Sequence, residues 1–387
     1  MAATIQSIRD KVAGGERLSR EDGVFLFGPP SPDGLGRASS PDIHDLGALA
    51  DAVRRRKNGD AAYFVSNFHI NPTNVCISGC NFCAFATRSE ADPRAYVTRV
   101  EPLLSKLAAL DLSRVTEFHI TGGLHPALPF DYYRDLLAAL KQAYPRISLK
   151  AYTAVELDWF SRLTGLTIDG VLEELVKAGL ESVPGGGAEI FEPGIRKRIC
   201  PGKITGERWL DIHRSIHRRG LRSTATMLYN HVETTESKVD HLIALRDLQD
   251  DTLLRQGSGG QAGFTAFIPL AFHPENTPYV HIRFSSGLSD LRHVAVARLM
   301  LDNFDHVKAY WMMIGLKTAQ VALCFGADDL DGTVVEERIS HAAGAQTPQG
   351  VAEADLVAAI REAGFVPLRR DSVYNIIERY DPAAATV

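Results

Sequence analysis

A chain of 387 residues with 45% hydrophobic and 23% charged side chains can bury a sizeable core, either as one large α/β barrel with extensions or as two average domains. Its formal net charge of -5 leaves no electrostatic footprint for nucleic acid, and the short run Arg54-Arg-Arg-Lys57 reads as the solvated end of a helix. With five cysteines, no apolar stretch of membrane-spanning length and no signal-peptide core, a disulfide framework and a membrane partner are not expected, and the cytoplasm is the expected location.

Residues 1–62 read as a helical extension. Ser19 is placed to cap a helix with Asp22 three residues on, a turn-rich break follows over 28–36, and a second helix is predicted from about Asp42 to Lys57. From residue 62 onward strands and helices alternate. Strands are predicted at 63–71, 115–121, 148–153, 182–184, 223–228, 264–269 and 307–312, and helices at 97–110, 132–144, 168–178, 207–219 and 236–249. A short strand near 322–325 would make eight, enough to close a (β/α)8 TIM-type barrel over 63–330, whereas six would leave it open. Residues 331–387 are then a C-terminal extension packing on the barrel. The segment 253–261 reads as an inserted loop, on the side away from the strand C-termini.

Barrel chemistry gathers in the loops after the strands, and the unusual segments fall there. After the first strand stand Cys76, Cys80 and Cys83, a CxxxCxxC triplet with the aromatic Phe82 before its last member. Three clustered thiolates without a fourth suit a [4Fe–4S] cluster in which one iron keeps an open position. Structural zinc needs four ligands, and Cys200 and Cys324 stand alone in the sequence, while His69 lies seven residues upstream at no usual zinc spacing. A non-enzymatic iron–sulfur or zinc protein is the remote alternative.

Gly122 and Gly123 follow the second strand, where they make either a ligand-approaching backbone or a plain turn. Glu156 ends the third strand, as a site residue or a helix cap. Three consecutive glycines, 185–187, and Glu189 follow the fourth, and Glu189 is either a hydroxyl-binding carboxylate or a charge favourable to a helix N-terminus. After the fifth strand, His231 and Glu233 either meet a ligand or cap the next helix. His125, beside the glycine pair, either faces a carboxylate or packs. No catalytic residue is assigned, and His125 and His231 are the candidates.

The triplet and the glycine pair resemble the signature of the radical SAM enzymes. The segments 71–76, 122–126, 184–191, 225–229, 267–274, 301–304, 308–311 and 326–333 together resemble the aminofutalosine synthase family, from about Leu18 to Arg370. Phe191, closing the run that starts at Pro184, favours this family over the sister cyclic dehypoxanthinyl futalosine synthase and the deazaflavin-forming radical enzymes. The resemblance implies a radical SAM barrel with the cluster on Cys76, Cys80 and Cys83 and S-adenosyl-L-methionine (SAM) on the open iron. Phe82, Gly122, Gly123 and Glu189 would be SAM contacts, the glycines at the methionine amino group and Glu189 at the ribose. It also implies a reaction in menaquinone biosynthesis by the futalosine pathway. The 5′-deoxyadenosyl radical would add to 3-[(1-carboxyvinyl)oxy]benzoate with loss of a carboxyl group, giving 6-amino-6-deoxyfutalosine. Flavodoxin or ferredoxin would be the electron donor.

Overall fold

The computed structural model describes residues 3–28, 40–256 and 261–381. Most of the turn-rich break at 28–36, and residues 257–260 of the expected insertion, lie outside the described residues. Among the described residues eleven strands follow in chain order: β1 (Ala61–Val65), β2 (Asn67–Ile70), β3 (Glu117–Ile120), β4 (Ser148–Ala151), β5 (Ser182–Val183), β6 (Arg222–Tyr229), β7 (Gly263–Ala271), β8 (His306–Val307), β9 (Asp329–Gly332), β10 (Val366–Arg370) and β11 (Ile376–Arg379).

Strands β2 to β8 form one parallel sheet in sequence order, each joined to the next through at least one helix. That order is what repeated right-handed β-α-β crossovers produce. The alternation of strand side chains puts apolar residues toward the helices and polar ones inward. In β2 and β3 the same triplet, Phe-His-Ile, occurs at 68–70 and 118–120. Phe118 packs edge-on against Tyr144 beyond the helix Phe130–Ala143, whose buried stripe is Phe130, Tyr133, Leu136, Leu137 and Leu140.

The curled sheet is closed by a segment the sequence does not advertise. Residues 328–335 run between β8 and β2. On one side Asp328 N–H donates to Val307 O (3.0 Å) and Ala309 N–H to Asp329 O (2.8 Å); on the other, His69 N–H donates to Val335 O (2.8 Å). The Asn67 side chain accepts from Val334 N–H at 2.7 Å. Gly332 is required here, because a Cβ would stand 2.2 Å from the Val65 carbonyl oxygen. β9 is thus the eighth stave. The strand expected near 322–325 is instead the end of the helix Leu316–Ala322 and a 3-10 turn, Leu323–Phe325. Its apolar residues follow helical spacing, burying Ala319, Ala322 and Leu323, and Phe325 packs against Gly47. The strand expected at 307–312 also stops early, at the short helix Trp311–Ile314.

β1 leads into β2 and pairs with β9 on one side and β10 on the other, so it stands between the closing stave and the C-terminal hairpin of β10 and β11. The N-terminal helices pack on the outside. Ser19 and Asp22 form the expected capping box of the helix Arg20–Phe27, and Asp42 caps the helix Ile43–Asn58. Arg54 departs from the expected solvated end: it is fully buried, donates to Gly59 O (2.7 Å) and lies over the Phe365 ring. Among the described residues no helix is long and apolar enough to cross a membrane.

Candidate active site

A cavity of about 310 Å³ opens at the C-terminal ends of the strands. Cys76, Cys80 and Cys83 line it, on a loop held by its own backbone and by asparagine and threonine side chains. Cys76 N–H donates to Thr87 O (2.9 Å), Thr87 N–H to Asn74 O (2.8 Å) and Thr73 Oγ1 to Tyr96 O (2.7 Å). From the far side, Asn81 N–H reaches Ile199 O at 2.7 Å, and Gly202 packs so closely that a Cβ would stand 2.1 Å from Ser78 O. Burial pushes the Cys80 thiol up to about 12 and raises that of Cys83, so metal binding there must displace protons. Neither Cys200 nor Cys324 lines the cavity.

The residues fit an iron–sulfur cluster. Three thiols on one pinned loop face a cavity with room for a ligand, and among the described residues no group of three or more His, Cys, Asp or Glu side chains is arranged to hold a single metal ion. A cubane takes one thiolate per iron, so its ligands stand further apart than those around one zinc.

Gly122 and Gly123 also line the cavity, and their first requirement is packing rather than ligand approach. A Cβ on Gly123 would stand 2.2 Å from Val75 O and 3.0 Å from Cys76 Cβ; on Gly122 it would stand 2.8 Å from Thr73 O. Their amides are committed, Gly122 N–H to Glu156 Oε1 (3.0 Å) and Gly123 N–H to Thr73 O (2.8 Å). Among the described residues neither carbonyl oxygen accepts a hydrogen bond, which leaves two acceptors for an ammonium group. Glu156 is both cap and site residue: it completes the capping box of Thr153 and takes Thr121 Oγ1 at 2.9 Å. Burial raises its pKa.

Glu189 lines the cavity with φ of 47°, its Oε1 2.5 Å from Lys203 Nζ. The helix-capping role belongs to Glu192, which accepts from Gly194 and Ile195 N–H. Burial opposes the Lys203 charge, but Cys80 and Glu189 outweigh it and raise its pKa; the ammonium sits 5.1 Å from the Phe82 ring centre, on the cavity wall.

The two histidine candidates lie elsewhere. His125 does not line the cavity; its Nδ1 accepts from Ala127 N–H (3.1 Å), and the carboxylate that its Nε2 faces is that of Glu90, 3.4 Å away, not one in the cavity. His231 does not line it either. Its Nε2 bonds Leu228 O (2.9 Å), and Glu233 closes the turn by accepting from Asn230 and His231 N–H (2.6 and 2.7 Å).

The cavity floor holds polar residues that sequence reading missed: His69, His119, Lys150, Lys308 and Asp331. Each comes from a different strand or strand end. The signal was the repeated Phe-His-Ile, which puts an inward imidazole at matching positions of adjacent strands. His69 and His119 are register partners with rings stacked at 4.7 Å. Burial and then His119 lower the His69 pKa to about 3, so it is neutral.

A parallel barrel whose first inner strand leads into a three-cysteine loop, packed directly on a glycine pair at the mouth of the cavity, defines a radical SAM enzyme. The Radical SAM superfamily profile matches residues 70–245, and the CofH/MqnC C-terminal region profile matches 261–382. Solved structures agree on the fold: methylornithine synthase (PylB) superposes with a TM-score of 0.69 at 17% identity, covering 94% of this chain and 97% of that one. The hydrogenase maturase HydG from Carboxydothermus hydrogenoformans gives 0.68 at 14% identity, covering 96% and 80%. Aminodeoxyfutalosine synthase of Thermus thermophilus is 42% identical over 98% of this chain and 97% of its own length, and that of Streptomyces coelicolor 41% over 98% and 96%. The 5-amino-6-(D-ribitylamino)uracil–L-tyrosine 4-hydroxyphenyl transferase of Methanopyrus kandleri is 39% identical over 88% and 90%. The chain belongs to the aminodeoxyfutalosine synthase family of the radical SAM superfamily, whose enzymes use a 4Fe–4S cluster and SAM.

Proposed function

We propose that the protein joins the 5′-deoxyadenosyl group of SAM to 3-[(1-carboxyvinyl)oxy]benzoate, with loss of one carboxyl group, to form 6-amino-6-deoxyfutalosine for menaquinone. The observation that carries this reading is the 42% identity, end to end, with an aminodeoxyfutalosine synthase. Cys76, Cys80 and Cys83 would hold the cluster, which would leave one iron open for SAM. When bound, the cluster supplies the electron, drawn from a donor such as flavodoxin or ferredoxin, that cleaves SAM into methionine and a 5′-deoxyadenosyl radical.

The chain's own part is placement and exclusion of water. The Gly122 and Gly123 carbonyls accept the methionine ammonium, and Glu156 fixes that loop by holding Gly122 N–H and Thr121 Oγ1. Glu189, set by Lys203 beside Phe82, faces the ribose hydroxyls. Leu228, Ile268, Leu270 and Phe272 give the cavity an apolar wall that shields a radical and presses the flat substrate toward the adenosyl carbon.

The test follows the adenosyl carbon. With adenosyl-labelled SAM and the vinyl ether as substrate, the label leaves in 6-amino-6-deoxyfutalosine, with methionine in equal amount. Label recovered mainly as 5′-deoxyadenosine, with cyclisation of a futalosine derivative, transfers the chain to the sister cyclase.

A further inference from the structure

Below the cavity rim, the charged side chains of the floor are paired except at one point. Lys308 Nζ donates to Asp331 Oδ1 at 2.5 Å. Lys150 has an ion-pair neighbour, Glu117 Oε2, at 3.5 Å, with both side chains at most 3% exposed. That contact is not a hydrogen bond: Glu117 Oε2 has no hydrogen-bond partner, and the Lys150 ammonium donates none among the described residues. A buried ammonium with idle N–H groups is costly unless something in the cavity accepts them. Lys150 lines that cavity.

Its surroundings say what the acceptor is. Lys150 is the register partner of His119, which is the partner of His69, so a stacked pair of rings forms the wall next to the ammonium. A cation beside a flat, buried wall suits an aromatic carboxylate. Depth selects which carboxylate. Lys150 lies within β4, whereas Cys76, Gly122, Gly123 and Glu189 stand in loops beyond the strand ends. The reacting vinyl carbon belongs at that rim, so the ring carboxylate is the end that reaches the floor.

We propose that Lys150 is the residue that binds the benzoate carboxylate of the substrate, with the His69–His119 stack as the wall for its ring. This assignment rests on the proposed function, which supplies the substrate.

Binding is measured anaerobically by calorimetry on the cluster-loaded enzyme saturated with SAM's unreactive homocysteine analogue. Three ligands are compared: the diacid, the same molecule with the benzoate as carboxamide, and the same molecule with the vinyl carboxylate as carboxamide. The wild type binds the diacid at least about tenfold tighter than the benzamide, a charge-assisted hydrogen bond's worth. In Lys150→Met that preference collapses toward unity, while affinity for the SAM analogue and the penalty for amidating the vinyl carboxylate are unchanged. Because Lys150→Met strands Glu117, the double variant Lys150→Met/Glu117→Gln, with both charges gone, carries the same test in a chain whose folding is less burdened. A benzoate preference retained in either folded variant overturns the assignment, as does a loss confined to the vinyl-carboxylate arm. Wild-type enzyme that forms labelled product while a variant keeps the preference refutes only Lys150; wild-type enzyme that neither binds nor converts the diacid refutes the proposed function.

Discussion

Lys150 and Glu156 are both buried beside the cavity and differ in what satisfies them. Glu156 takes hydrogen bonds from Thr153, Thr121 and Gly122, three points on two loops, so its carboxylate is a structural clamp despite burial raising its pKa. Among the described residues Lys150 has only the Glu117 ion pair at 3.5 Å and no hydrogen bond, and burial lowers its pKa from 10.5 to about 8, with the charge of Glu117 opposing that fall and those of Lys308 and Arg370 assisting it. The sign of its pH dependence follows. Between about pH 8 and 10.5 the unfolded chain binds the proton that the folded chain has lost, so this group's destabilisation is complete below 8 and relieved as pH rises through that window. Affinity for a carboxylate moves the other way, because the ammonium is what binds it. Titration of benzoate-type ligand binding in the ligand-free enzyme is therefore level below pH 7 and falls with an inflection near 8. Lys150→Arg removes that inflection from the accessible range, since guanidinium stays charged. A wild-type profile flat to pH 10 would show that the binding cation is another group.

At the scale of elements, the cysteine loop and the glycine pair are one unit. Gly123 approaches the Val75 carbonyl too closely for any side chain, and backbone at 2.2 Å cannot give way as a side chain would. Gly123→Ala therefore displaces Val75 and Cys76. Iron per chain and SAM cleavage fall together, by about tenfold or more in cleavage, while the cavity floor still binds aryl carboxylate. Full iron loading with only SAM affinity reduced would mean that the glycine faces ligand alone. This unit was legible in the sequence because its spacing is local: three thiols within eight residues, and two glycines after a strand. The floor was less so. His69, His119 and Lys150 are separated by dozens of residues, and only strand register puts them in one row; the repeat of Phe-His-Ile was the available hint. His125 and His231 drew attention through their place in loops, yet neither lines the cavity: His125 takes Ala127 N–H and faces Glu90, and His231 bonds Leu228 O. The eighth stave was misplaced for a related reason. Residues 322–325 are apolar but helical in period, whereas β9, Asp-Leu-Asp-Gly, has poor strand propensity and is held by tertiary hydrogen bonds.

At the scale of the whole molecule, side-chain bonds across β1 tie the C-terminal hairpin to the closing stave. Asp329 in β9 is fully buried and accepts from Arg370 Nε in β10 (2.6 Å) and from the Tyr374 hydroxyl (2.7 Å). Two residues on, Asp331 holds Lys308 at the cavity floor. The brace thus runs from the last hairpin, through the closing stave, to the charged groups under the substrate. Arg370→Met keeps the side chain's length but leaves a buried carboxylate with no charged partner, held only by the Tyr374 hydroxyl and the Asp331 N–H. Removing one partner of such a pair costs about 3–5 kcal/mol, whereas replacing both by neutral groups costs far less. Urea unfolding of Arg370→Met is expected to show a loss of that size, with the midpoint shifted and the slope unchanged. Arg370→Met/Asp329→Asn should recover much of it, because the stranded charge is gone. If the barrel instead stood without the hairpin, the single variant would lose about 1 kcal/mol or less and the double would recover nothing. The same comparison reads the link to chemistry. A stave released from its brace no longer fixes Asp331 and Lys308, so the single variant cleaves SAM yet couples it poorly to product, and the double variant restores the coupling along with the stability.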